Sequence, residues 1–152
     1  MIPKNCKRLA EVDFPIAEVS RHAAREKSGP KGHPSMLHLW WARRPLASCR
    51  AILLALLWPD PCDALCPEIF KAEAKKCLRE VPDCNPGTTD EDLRQALLRF
   101  IADFANWDLA AHPTYLEVSR ALVNAAYASV DGDAYEPPLV VDPFSGGGSI
   151  PL

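Results

Sequence analysis

Leu139-Val140-Val141-Asp142-Pro143-Phe144-Ser145-Gly146-Gly147-Gly148-Ser149 is the stretch on which the fold turns. Leu139-Val140-Val141 is short, β-branched and unalternating, the pattern of a strand covered on both faces of a parallel sheet. It runs directly into an acid, an aromatic residue and three consecutive glycines. Glycines at that point let the backbone approach a ligand closely, as the nucleotide-binding loops of open α/β sheets require. The stretch predicts a strand over 139–142 followed by a ligand loop over 142–149.

The ligand can be narrowed from the same residues. A P-loop places lysine and then serine or threonine after its last glycine, whereas Gly148 is followed by Ser149 and Ile150. The dinucleotide fingerprint G-x-G-x-x-G fits Gly146 and Gly148 but meets Pro151 where its third glycine belongs. Asp142, at the carboxyl end of the strand, repels phosphate and suits a ligand with an ammonium and a sulfonium, as S-adenosylmethionine has. On that reading Asp142 takes the amino group, while backbone N–H groups around Phe144, Ser145, Gly146 and Gly148 line the carboxylate end. The plainer alternative is a glycine-rich surface turn capped by Asp142.

Everything upstream reads as helix. Pro15 to Lys27 forms the first, with Ile16, Val19 and Ala23 on one face. Ser28-Gly29-Pro30 stops it, and a second helix runs from about Pro45 to Trp58. That helix is apolar on nearly every side after Arg50, which predicts a place at the centre of the core. A weakly patterned helical segment spans Pro67 to Val81. Thr89-x-x-Asp92 resembles a capping box and opens the clearest amphipathic helix, with Leu93, Leu97, Ile101 and Phe104 inward. A second box, Thr114-x-x-Glu117, predicts a helix to about Ala128. Fifteen prolines, about twice the usual ~5% of residues, punctuate the chain into short helices.

Composition sets the outer limits. The chain has 152 residues, 48% hydrophobic and 24% charged, which suits one soluble domain rather than a disordered chain. The longest apolar run, Ala51 to Trp58, is far short of the ~20 residues that cross a bilayer. The basic N-terminus leads into Glu11 and Asp13 rather than an apolar stretch, so it lacks the layout of a signal peptide and predicts a cytoplasmic protein. The six cysteines are then expected as reduced thiols. Cys62, Cys66, Cys77 and Cys84 lack the paired close spacing of structural zinc sites, and His22, His33, His38 and His112 show no ligand spacing, so no metal is expected. Residues 1–58 carry ten Lys/Arg and four Asp/Glu, whereas residues 59–152 carry seven and sixteen. The basic half holds a cluster in which Lys27, Lys31, His33, His38, Trp40, Trp41, Arg43 and Arg44 fall close together. Lys31, Arg43 and Arg44 can bind phosphates while Trp40 and Trp41 stack on an exposed base. Alternatively, the tryptophans pack the helical domain and the arginines pair with its acidic remainder. A third possibility folds the segment over the glycine loop.

Two resemblances converge on one family. Asp142-Pro143-Phe144-Ser145-Gly146-Gly147-Gly148-Ser149 resembles motif I of the amino-group DNA methyltransferases, Asp-Pro-Phe-x-Gly-x-Gly followed by Ser or Thr. Upstream, Ala24-Arg25-Glu26-Lys27, Gly32-His33-Pro34-Ser35 and Leu37-His38-Leu39-Trp40-Trp41-Ala42-Arg43-Arg44-Pro45-Leu46-Ala47 form a second match. They resemble the N-terminal domain of unknown function that precedes the catalytic domain in a family of adenine-specific DNA methylases, some associated with antiphage defence. Ser28-Gly29-Pro30-Lys31 departs from the more basic linker expected there. The resemblance implies a mainly α-helical domain over 1–136, with the basic aromatic motif at 33–47. Residues 137–152 would then begin an α/β Rossmann-like methyltransferase domain.

In that family an Asp/Asn/Ser-Pro-Pro-aromatic motif holds the flipped base beside the sulfonium. The nearest tetrapeptide here, Glu136-Pro137-Pro138-Leu139, has neither the polar residue nor the aromatic. A parallel sheet cannot be built from one strand, so the chain is expected to be the N-terminal part of a methylase, ending where its catalytic domain begins. The parent enzyme would transfer a methyl group from S-adenosylmethionine to an exocyclic amino group in DNA, adenine favoured. The chain alone is expected to be inactive, with weak cofactor affinity and no catalytic residue of its own. The rival from another class is a non-enzymatic helical module that binds DNA or a partner protein through residues 27–44. A dinucleotide oxidoreductase is a more distant third.

Overall fold

The computed structural model describes residues 2–27, 45–128 and 138–143. They form six α-helices: α1 Leu9–Val12, α2 Ile16–Lys27, α3 Leu46–Leu57, α4 Glu68–Cys77, α5 Asp90–Phe104 and α6 Pro113–Tyr127. Short 3₁₀ turns follow at Leu78–Glu80 and Trp107–Leu109.

α5 is the centre of the core. Its apolar residues recur at helical spacing, and Leu93, Leu97, Phe100 and Ile101 are fully buried. The expected capping box forms. Thr89 Oγ1 accepts the Asp92 N–H at 3.1 Å, and the Asp92 carboxylate accepts the N–H groups of Thr89 and Thr88 at 3.0 and 3.2 Å. Gly87 makes room for this cap: its φ is +62°, and a Cβ there would overlap the Asp92 side chain. The first turn of α5 is tied to α4 through Lys71, whose Nζ lies 2.9 Å from Asp90 Oδ2. It is tied to the chain after α3 by Arg94, whose Nε and Nη2 grip the buried Asp60 at 2.8 Å each.

The N-terminal residues are pinned to the far end of α3. Leu9 N–H donates to Trp58 C=O at 3.1 Å and Asp60 N–H to Lys7 C=O at 2.9 Å, around a lone antiparallel bridge between Arg8 and Pro59. This long-range pairing has no local signature in sequence.

Four expectations are corrected. α3 is not enclosed: Ala47, Ala51, Leu54 and Ala55 face its neighbours while Ile52 and Leu56 are 47% and 49% exposed. Small residues on the contact face let adjoining helices approach, which leaves the bulkier residues outside. In α2, Val19 and Ala23 are buried, but Ile16 is exposed in the first turn. α6 does not use the box at Thr114, since Pro113 occupies its first position and His112 is the N-cap. Proline needs no N–H partner and its φ already suits a helix, so the helix starts two residues earlier and Thr114 lies inside it.

The fourth correction concerns the strand over 139–142. Among the described residues there is no strand, and Leu139, Val140 and Val141 are 88%, 46% and 72% exposed. A strand obtains its hydrogen bonds from neighbouring strands, and the described residues supply no neighbour. The observed architecture is therefore helical; the expected domain boundary at 136–137 and most of the loop over 142–149 fall outside the described residues.

Candidate functional site

Of the residues expected to act, the structure describes Asp142, which is half-buried just after the exposed Leu139-Val140-Val141 run. Phe144, Ser145, Gly146 and Gly148 of the cofactor loop lie outside the described residues, as do Lys31, Trp40, Trp41, Arg43 and Arg44 of the basic aromatic cluster. The described part of the loop holds the Asp142 carboxylate and no sheet edge. The structure does describe the chain on either side of those residues, the end of α2 and the start of α3.

The start of α3 presents a problem that the sequence leaves open. The first N–H groups of a helix lack intrahelical partners, and the N-cap, Pro45, has no side-chain acceptor. Glu26 supplies one from the last turn of α2. Its Oε2 accepts the Leu46 N–H at 2.8 Å and its Oε1 accepts the Ala47 N–H at 2.7 Å, across 20 and 21 positions of sequence. Glu26 is 8% exposed; its bond to Ala47 is buried and its bond to Leu46 partly so. A carboxylate at a helix N-terminus also meets the positive end of the helix dipole. One buried side chain thus joins the last turn of α2 to the first turn of α3.

Arg50, one turn into α3, completes this corner. Its Cζ lies 4.8 Å from the centroid of the Phe104 ring, a cation–π arrangement. Burial pushes the guanidinium pKa down, and the Glu26 carboxylate opposes that shift. Its Nη1 is buried, and no acceptor reaches it among the described residues. Phe104 in turn belongs to an aromatic stack, with Tyr115 at 5.5 Å, Phe100 at 5.8 Å, and His112 edge-on to Tyr115 at 5.6 Å. The corner therefore rests on the rigid interior formed by α5 and α6. Outside it, Arg25 pairs with Asp108 at 3.0 Å, both more than half exposed.

Elsewhere the described surface carries two open clefts of about 440 and 390 Å³, which share Gln95 and Arg99. The larger is lined by Asp83, Cys84 and Asp92, the smaller by Asp13, Glu18 and Asp103. Burial raises the Asp103 carboxyl pKa, with Arg99 opposing it. Neither cleft joins a nucleophile to a base. The cysteines are free thiols, four of them buried. Burial raises the Cys66 thiol to about 12, and burial with a hydrogen bond to Glu73 raises Cys77 to about 11, which leaves both poor thiolates at neutral pH. Among the described residues no group of His, Cys, Asp or Glu is placed to hold a metal ion, and no helix is long and apolar enough to cross a membrane.

Sequence reasoning missed Glu26 and Arg50 as structural determinants of this corner. Glu26 lies in Ala24-Arg25-Glu26-Lys27, one of the stretches that carried the family resemblance, but its partners follow no local spacing. Comparison with curated proteins and with solved structures finds no match to the chain. Residues 13–80, covering α2, α3 and α4 with the segment between α2 and α3, match the family described as a protein of unknown function (DUF1156).

Proposed function

We propose that the chain contributes a helical nucleic-acid-contacting region and a cofactor loop to an S-adenosylmethionine-dependent DNA methyltransferase. The methyl acceptor on this reading is an exocyclic amino group of a base, adenine favoured. The observation that carries it is the run from Leu139 to Pro143, three exposed apolar residues leading into a half-buried aspartate. Followed in sequence by Phe144-Ser145-Gly146-Gly147-Gly148, it keeps the residue order of the methyltransferase motif that the sequence resembles. Asp142 would take the ammonium group of the cofactor, and the cofactor would supply the methyl group. The bound cofactor would supply an electrophilic sulfonium methyl, to which the base's amine would bond as the S–CH3 bond breaks, the neutral thioether leaving and the amine proton passing to solvent.

The test is methylated-base sequencing of DNA from cells that express the gene in its native genomic setting, with and without Asp142→Ala. Modified amino groups at a defined sequence in the wild type, lost in the variant, support the reading. Unmodified DNA in the wild type overturns it. The purified 152-residue chain by itself should transfer no labelled methyl group.

A second reading is a non-enzymatic helical module that binds DNA or a partner protein through residues 27–44. It requires binding that falls steeply with salt and survives deletion of residues 139–152. Both readings assign the contact to Lys31, Trp40, Trp41, Arg43 and Arg44.

A further inference from the structure

Arg50 is a cation that the fold holds in place and leaves unmatched. Two other cations that are largely withdrawn from water have carboxylate partners. Lys71 reaches Glu68 and Asp90 at 3.1 and 2.9 Å, and Arg94 reaches Asp60 and Glu91 at 2.8 and 2.7 Å. Arg50 is half-buried and forms no ion pair among the described residues, and its buried Nη1 has no acceptor. Glu26, the carboxylate whose charge it feels, commits both oxygens to the N–H groups of Leu46 and Ala47.

A guanidinium withdrawn from water without a counter-charge is costly. The side chain is nevertheless fixed, with its Cζ 4.8 Å from the centroid of the Phe104 ring. That ring is itself held by Phe100 and Tyr115 at 5.8 and 5.5 Å. The contact engages the charge through the π-electrons of Phe104 and takes up none of the N–H donors. A buried donor without a partner marks a place for a water or an ion. Water satisfies the donor but leaves the charge unmatched, whereas an anion satisfies both.

We propose that Arg50 binds a phosphate group at the corner where α2, α3 and α5 meet. The planar fork of a guanidinium matches two oxygens of a phosphate. The remaining oxygens stay in water, which suits a half-buried cation. The neighbouring Glu26 charge is offset by the two N–H groups that it accepts and by the positive end of the α3 dipole, so it does not cancel the attraction for an incoming anion. Two sources share this chemistry, the backbone of a nucleic acid and free inorganic phosphate. The site does not depend on the methyl-transfer reading.

The experiment is a magnetic-resonance titration of the isotope-labelled full chain, following the Arg50 Nε–H signal near neutral pH. The titrants are sodium phosphate, sodium chloride at matched ionic strength, and a short DNA duplex. The signal should move along a saturating curve that chloride does not reproduce. Movement by DNA, alone or at lower concentration than inorganic phosphate, identifies a nucleic-acid backbone as the source; the reverse order identifies free phosphate. A signal that neither moves, or that chloride moves as far, overturns the proposal. This arm uses the wild type and needs no variant to fold.

Arg50→Met removes the charge at similar length and keeps an apolar contact with Phe104. It should lose the rise in thermal midpoint that phosphate gives the wild type beyond the rise in Arg50→Met with chloride, since a ligand of the folded state stabilises it. An undiminished rise in Arg50→Met assigns the effect to general salt exclusion and overturns the proposal. Where DNA is the source, the same variant should reduce the slope of log affinity against log salt by about one. Arg50→Lys keeps the charge without the fork and should bind phosphate more weakly than the wild type but more tightly than Arg50→Met.

Discussion

The starts of α5 and α3 solve the same problem in opposite ways. α5 is capped by its own neighbours, Thr89 and Asp92 exchanging hydrogen bonds three residues apart on an exposed surface. α3 is capped by Glu26, brought from another helix 20 positions earlier and buried. The local cap forms as soon as the first turn does, and water remains a substitute for every bond it makes. The distant cap exists once α2 and α3 have packed, and water cannot replace it. The α5 cap therefore stabilises a helix, whereas the α3 cap stabilises a relation between two helices.

The comparison can be broken at either end. Glu26→Ala should have the largest effect. It leaves one buried and one partly buried N–H group without acceptors and Arg50 without its nearby carboxylate, a loss of about 3 kcal/mol, readable as a lower midpoint in urea unfolding. Thr89→Ala should cost about 1 kcal/mol in the same measurement, because the freed Asp92 N–H is open to solvent. If the two losses prove equal, the distinction between a shielded tie and an exposed cap is wrong.

The smallest effect separates the caps by pH. Hydrogen bonds from Thr89, side chain and backbone, and from the Thr88 N–H hold the Asp92 carboxyl below its usual range. A depressed folded-state pKa means that the contribution is present above the unfolded value and lost as pH falls through the folded one. Asp92→Asn should therefore lower the thermal midpoint near neutral pH, and the gap to the wild type should close between about pH 5 and about pH 2. A gap that persists at the acid end would show that the charge of Asp92 is not what the cap uses.

Legibility followed the range of the interactions. The helices from Pro15, Pro45 and Thr89 could be read because each is set by residues within one or two turns: a proline, a capping pair, an apolar repeat. α6 was legible as a helix but misassigned at its start, where Pro113 displaced the expected Thr114 cap. α3 was misjudged in burial, because an apolar composition does not say which face meets a neighbour. The bridge between Arg8 and Pro59, the grip of Arg94 on Asp60 and the Glu26 tie join residues more than 19 positions apart. Such pairs have no spacing to recognise.

The sequence by itself determined the helical character of the chain, the extents of α2, α3 and α5 to within a residue, and the chemical character of its two notable stretches, the basic aromatic cluster and the glycine-rich loop. These follow from local backbone preference and from residue type. Tertiary structure alone decided that Glu26 caps α3 from α2, that Arg50 stacks on Phe104, and that Leu139-Val140-Val141 is exposed without strand partners among the described residues. The physical reason is the same in each case. A buried carboxylate, a stacked guanidinium and a strand are defined by what lies against them, and packing rather than sequence proximity supplies that partner.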